Sequence, residues 1–146
     1  MRLQILPAVL ERIHSQGEAA YPEEGAGLML GEISQDQRQV MEILTLPNVR
    51  EETARHNRYL LSPQDYLKGE AEADRLGLDV LGVFHSHPDH PNRPSEFDRQ
   101  WAWPNFSYLI TSVMVGKAHE SRAWRLTEDR VNFIEEEIEI VENTIA

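Results

Sequence analysis

Cysteine is absent from this chain of 146 residues. No disulfide framework can staple it, and neither a cysteine zinc ribbon nor a deaminase-type zinc site with Cys ligands can be built from it. A chain without thiols suits a reducing compartment. Basic residues are also few: 14 Lys and Arg stand against 25 Asp and Glu, for a formal net charge of −11. So acidic a chain repels phosphate backbones, which argues against nucleic acid as a partner. Long apolar runs are missing as well. None approaches the roughly 20 residues of a membrane span, and Met1-Arg2-Leu3-Gln4-Ile5-Leu6 lacks the apolar core of a signal peptide. The expectation is a cytoplasmic protein with no membrane partner. Repeats, low-complexity segments and interdomain linkers are not evident either.

What is present is ordinary for a globule: 40% apolar and 27% charged residues. Residues 1–146 are expected to form a single domain around one core. The acidic run Glu135-Glu136-Glu137-Ile138-Glu139-Ile140-Val141-Glu142, like Glu51-Glu52, reads as solvated surface. Pro7 opens a helix candidate. Gly27–Ile33 and Val40–Leu46 read as strands around the turn Ser34-Gln35-Asp36-Gln37. Asn48–Asn57 reads as a loop and Tyr59-Leu60-Leu61 as a short strand. Ser62 caps a helix with Pro63 in its first turn and Gly77 as its stop. Ser107–Val113 and Arg122–Leu126 are further strands, and Val131–Val141 alternates as a half-exposed one. Helices and strands mix along the chain, giving an α/β or α+β layered domain. Trp101, Trp103 and Phe106 are large apolar side chains expected in the core.

The chemistry concentrates in one segment. Asp79-Val80-Leu81-Gly82-Val83-Phe84 reads as a buried strand that leads into His85-Ser86-His87-Pro88. Strand side chains alternate, so His85 and His87 share a face and Ser86 points away. Ser95-Glu96-Phe97-Asp98 then looks like a helix start, with Ser95 as cap and Asp98 at an acidic third position. Residues three apart lie on one helix face. Two imidazoles and a carboxylate suit a zinc ion that keeps one position open to water. A capping Ser and an Asp answering the helix dipole remain the purely structural alternative.

The pattern resembles that of the JAMM (MPN+) zinc metalloproteases, of the prokaryotic stand-alone type. Their signature is an upstream Glu, then HxH, seven residues and SxxD; here Pro88 to Pro94 supply the seven residues between His87 and Ser95. The upstream Glu precedes a small-residue strand of the form E-x-x-G-apolar-apolar-apolar-G. Glu24-Gly25-Ala26-Gly27-Leu28-Met29-Leu30-Gly31 matches it, so Glu24 rather than Glu23 is the corresponding residue. The resemblance implies a mixed β-sheet sandwiched by helices, similar to cytidine deaminase. It also implies that His85, His87 and Asp98 ligate Zn²⁺, that Glu24 is the general base and acid, and that Ser95 donates to the oxyanion. The implied substrate is a ubiquitin-like or sulfur-carrier protein cut at its C-terminal Gly-Gly. Two alternatives share the motif or the fold: a zinc hydrolase of other specificity, RadC-like, and a non-catalytic MPN scaffold, although such scaffolds lose the ligands this chain keeps. His90 reads as a rim residue, His14, His56 and His119 as surface, and Asp89–Pro94 as a wall of a peptide groove, with strand addition at a sheet edge as a way to bind the peptide.

Overall fold

Apolar patterning at period two lays out the sheet of the structure, a computed structural model that describes residues 2–35, 37–46 and 62–142 without the side chain of Trp101. In chain order the elements are β1 (Arg2–Ile5), α1 (Pro7–Ala20), β2 (Ala26–Ser34), β3 (Gln37–Leu46), α2 (Pro63–Leu76), β4 (Asp79–Pro88), α3 (Glu96–Trp101), β5 (Ser107–Met114), β6 (Lys117–Leu126) and β7 (Phe133–Ile140). The strands are ordered β1-β3-β2-β4-β5-β6-β7 and close on themselves through a parallel β7–β1 pairing. The sheet is mixed: β4 and β5 run parallel, whereas β2 is antiparallel to both β3 and β4.

β2 and β4 are central because both their faces are apolar, as continuous buried runs require. Adjacent residues serve different cores. Met29 joins Leu3, Ile5, Phe84 and Leu109 under Val9 and Ile13 of α1. Leu28 and Leu30 instead join Val83, Tyr108 and Leu126 beside Ala73 of α2. Helices therefore cover both faces, as the resemblance implied. α2 is delimited by local chemistry: Ser62 Oγ accepts from Asp65 N at 3.0 Å, Pro63 opens the first turn, and Gly77 ends the helix at φ 71°. Gly82 lets β4 pass tightly over β5, since a Cβ there would lie 1.8 Å from the Ser107 carbonyl oxygen. That register sets His85 beside Ile110 and His87 beside Ser112.

The structure adds to the sequence reading in four places. Residues 2–5 form β1, which pairs with β3 and β7 and closes the sheet. Every described strand thus has two neighbours, and none offers a wholly free edge for strand addition. β6 begins at Lys117 rather than Arg122, because its first half pairs with the end of β5 across a register shift. Within the acidic tail, Glu136 is not solvated: it is 1% exposed and accepts from Arg125 at 2.5 Å. Trp103 and Phe106 are half-buried at the edge of the core rather than inside it, with ring centroids 4.9 and 5.8 Å from Tyr66. The loop expected over 48–57, which contains Glu51, Glu52 and His56, and the strand expected over 59–61 lie outside the described residues. No described helix is long and apolar enough to cross a membrane.

Candidate metal centre

The site sits where β4 ends and α3 begins. β4 turns His85 and His87 to one face, both buried, with ring centroids 5.0 Å apart. Ser86 points the other way and clamps the neighbouring segment. Its Oγ accepts from Gly25 N at 2.8 Å, and its own N–H donates to the Gly25 carbonyl at 2.9 Å. These two bonds fix the residue that follows Glu24.

α3 supplies the carboxylate. Ser95 Oγ accepts from Asp98 N at 3.0 Å, and Ser95 N donates to Asp98 Oδ2 at 2.7 Å. This reciprocal cap holds the Asp98 side chain toward β4. Asp98 Oδ2 lies 3.2 Å from His87 Nε2, and Oδ1 lies 3.9 Å from His85 Nε2.

The imidazole tautomers follow from their other nitrogens. His87 Nδ1 is 2.8 Å from the Pro91 carbonyl oxygen, which can only accept, so Nδ1 carries the proton. His85 Nδ1 is 3.1 Å from Glu24 Oε1, again an acceptor. Each neutral ring then presents an Nε2 lone pair to Asp98. With both rings neutral, three acceptor groups meet here, and their ligating atoms lie within 4.8 Å of one another. A cation resolves that conflict, and backbone or carboxylate partners on Nδ1 are the usual support for histidine ligands. The donor set therefore fits a metal ion. The electrostatics show the same demand for positive charge between these groups, which a proton on His85 meets when no ion is bound. Burial opposes charging His85, yet Asp98 and Glu24 outweigh it and raise its pKa. Burial would push the Asp98 carboxyl up, but His85, His87 and the Ser95 N–H hold it well below the usual carboxylate range.

Glu24, 3% exposed, lies one residue before Gly25 and lines a cleft of about 440 Å³ together with His87, Pro91, Arg93 and Ser95. The structure thus brings together all five residues singled out in the sequence: Glu24, His85, His87, Ser95 and Asp98. His90 lines the same cleft but is not in the cluster that could ligate. His14 is not simply at the surface; half-buried, its Nε2 lies 2.9 Å from Ser121 Oγ. Sequence reasoning missed the Pro91 carbonyl, for which no side chain gives a signal. It also missed Asp89, whose carboxylate accepts from Tyr21 Oη at 2.5 Å and from Val115 N at 2.8 Å, tying the cleft loop to the segment before Glu24 and to the β5–β6 turn.

Comparison with known proteins adds three kinds of likeness. The family described as prokaryotic homologs of the JAB domain matches residues 6–127. A probable TtuB-protein conjugate cleaving protease of Thermus thermophilus is 36% identical over 99 residues, covering 68% of this chain and 61% of the relative. A desampylase of Haloferax volcanii is 34% identical over 92 residues, covering 62% of this chain and 63% of the relative. The match therefore spans less than two thirds of either relative's length. The solution structure of a Desulfitobacterium hafniense protein superposes with a TM-score of 0.84 at 28% identity, over 97% of this chain and 94% of the other.

Proposed function

The chain belongs to the family of prokaryotic JAB-domain homologs, and from that premise we propose that it is a zinc-dependent isopeptidase or peptidase. Its substrate in this reading is a ubiquitin-like or sulfur-carrier protein, hydrolysed at the amide bond that follows the C-terminal Gly-Gly. One observation carries the proposal: two Nε2 lone pairs and the Asp98 carboxylate converge beside a cleft that Glu24 and Ser95 also line. Two imidazoles and one carboxylate are a common donor set for catalytic zinc. The substrate class draws support from the relatives, one named for cleaving TtuB-protein conjugates and the other a desampylase.

When bound, zinc supplies Lewis acidity that makes water a nucleophile near neutral pH. Five residues define the rest. His85, His87 and Asp98 would hold the ion. Glu24 accepts from His85 through Oε1, and its carboxylate takes a proton from water and returns it to the leaving amine. Ser95 Oγ uses a lone pair to cap Asp98 N, so its own hydroxyl proton is left to donate to the substrate carbonyl oxygen as charge builds there. Glycine suits the acyl side because it has no Cβ to keep the backbone away from the cleft.

The test is mass spectrometry of a carrier protein extended beyond its Gly-Gly, incubated with metal-loaded protein and with the Glu24→Gln variant. Cleavage directly after Gly-Gly by the wild type alone is expected, with none when the last Gly is changed to Val. Full metal content with no cleavage of any such fusion would overturn the reading in favour of a non-catalytic scaffold or a hydrolase of other specificity.

A further inference from the structure

The cleft contains a cation for which the chemistry above has no use. Arg93 is the one Arg or Lys among the residues that line it, beside Glu24, His87 and Ser95. It has no hydrogen-bonding or ion-pairing partner among the described residues. Its neighbours behave otherwise. Arg99 pairs with Glu96, the other exposed charge on the cleft, and Arg130 donates to the carbonyls of Gln100 and Ala102. In a chain with 25 acidic and 14 basic residues, an arginine left without an acid is the less expected outcome. Pro88, Pro91 and Phe97 give the cleft apolar walls, which strengthen any charge pairing inside it.

We infer that Arg93 receives a carboxylate on the leaving side of the substrate. The site is then built to release a single C-terminal amino acid bearing a free α-carboxylate, in preference to a lysine held by an isopeptide bond. This rests on the reading of the site as a Gly-Gly-directed amidase and narrows its substrate. The Gly-Gly side of the bond carries no anion. Beyond the scissile nitrogen, the first anion in a one-residue extension is the α-carboxylate, whose carbon is two bonds and about 2.5 Å away. In an isopeptide the lysine methylenes occupy that place. A guanidinium is a planar fork that matches a carboxylate through two parallel hydrogen bonds. The reaction itself is simple hydrolysis: water's oxygen bonds to the glycine carbonyl carbon, the C–N bond breaks, and water's proton ends on the leaving amine.

The experiment compares metal-loaded wild type with Arg93→Gln and Arg93→Lys, their folding checked by thermal melting. Three substrates are used: the carrier ending Gly-Gly-Ala as free acid, the same chain as C-terminal amide, and the carrier joined to the Nε of lysine. Calorimetry with acetyl-Gly-Gly-Ala, acid against amide, gives a second readout independent of turnover. Wild type should favour acid over amide by about 10-fold or more in both measurements, the scale of one charge-assisted contact. That ratio should collapse toward one in Arg93→Gln and recover in part in Arg93→Lys. Since the carrier's own acidic side chains are the same in both arms, the ratio reports the α-carboxylate alone. An acid preference that persists in Arg93→Gln would assign the carboxylate to the metal and overturn the inference. So would no preference in wild type, or lysine release as fast as alanine release. Failure of the parent reading looks different: no fusion is cut, while peptide binding still prefers the acid through Arg93.

Discussion

Glu24 touches His85 through one carboxylate oxygen, a contact compatible with two jobs: proton transfer, or merely holding the imidazole in its tautomer. Glu24→Gln separates them. The amide oxygen of Gln still accepts from His85 Nδ1 but cannot take a proton from water. Metal content, read by elemental analysis, should stay near wild type while turnover falls by at least ~100-fold. Loss of metal with turnover per bound ion intact would assign Glu24 to orientation alone. The contact also marks the limit of what the sequence discloses. His85, His87, Ser95 and Asp98 stand within fourteen residues, at spacings that strand and helix geometry turn onto common faces. Glu24 is 61 positions from His85, and no periodicity connects them; only the resemblance picks it out. The Pro91 carbonyl that fixes His87 is backbone, so no residue identity announces it.

α3 has six residues, too few to persist without help. Ser95 caps the element, and in the proposed function it also serves the reaction, so Ser95→Ala should show both effects. Loss of the cap should cost about 1 kcal/mol in chemical denaturation. Loss of the oxyanion donor should lower kcat by about 100-fold with metal still bound. A stability loss with kcat unchanged would leave Ser95 only its structural role. α1 is docked by a different device: His14 meets Ser121 on β6, whose Oγ lies 2.6 Å from Thr111 Oγ1. Burial pushes the His14 pKa below 6.5, with Glu18 opposing in part. The unfolded chain then binds the proton more tightly, so the neutral ring's contribution to stability is present above pH 6.5 and is lost as pH falls below it. In EDTA, the urea midpoint of the wild type should drop more than that of His14→Gln between about pH 7.5 and about pH 5.5. Equal drops would remove His14 from the acid response. Helix limits such as Ser62, Gly77 and Ser95 were legible because caps are local chemistry. β1 was not, because four residues before Pro7 have no period of their own and become a strand only by pairing with β3 and β7.

Across the whole molecule, the closed sheet is most deeply packed where its two central strands are buried on both faces, and the candidate metal centre joins that part to a short helix. Two of the three candidate ligands belong to β4, which the cores on either side hold in place through Val83 and Phe84. The third candidate belongs to α3, which is held by its own cap, by Arg130 reaching the Gln100 and Ala102 carbonyls and by Arg99 donating to the Arg130 carbonyl. Removing the ion should act unevenly. A ligand at 100 times its Kd stabilises the folded state by about 2.7 kcal/mol, so chelation should lower Tm measurably. The local effect should be larger, because protons shared with the imidazoles would then be all that joins Asp98 to β4. Amide hydrogen exchange should accelerate from Asp89 through Ala102 on adding EDTA, while the amides of β2 and of β4 up to Phe84 keep their protection. In His87→Ala, the same segment should exchange fast with or without metal. Acceleration spread evenly over the sheet would mean that the ion supports the barrel as a whole, and no change anywhere would mean that Asp98 is not a ligand.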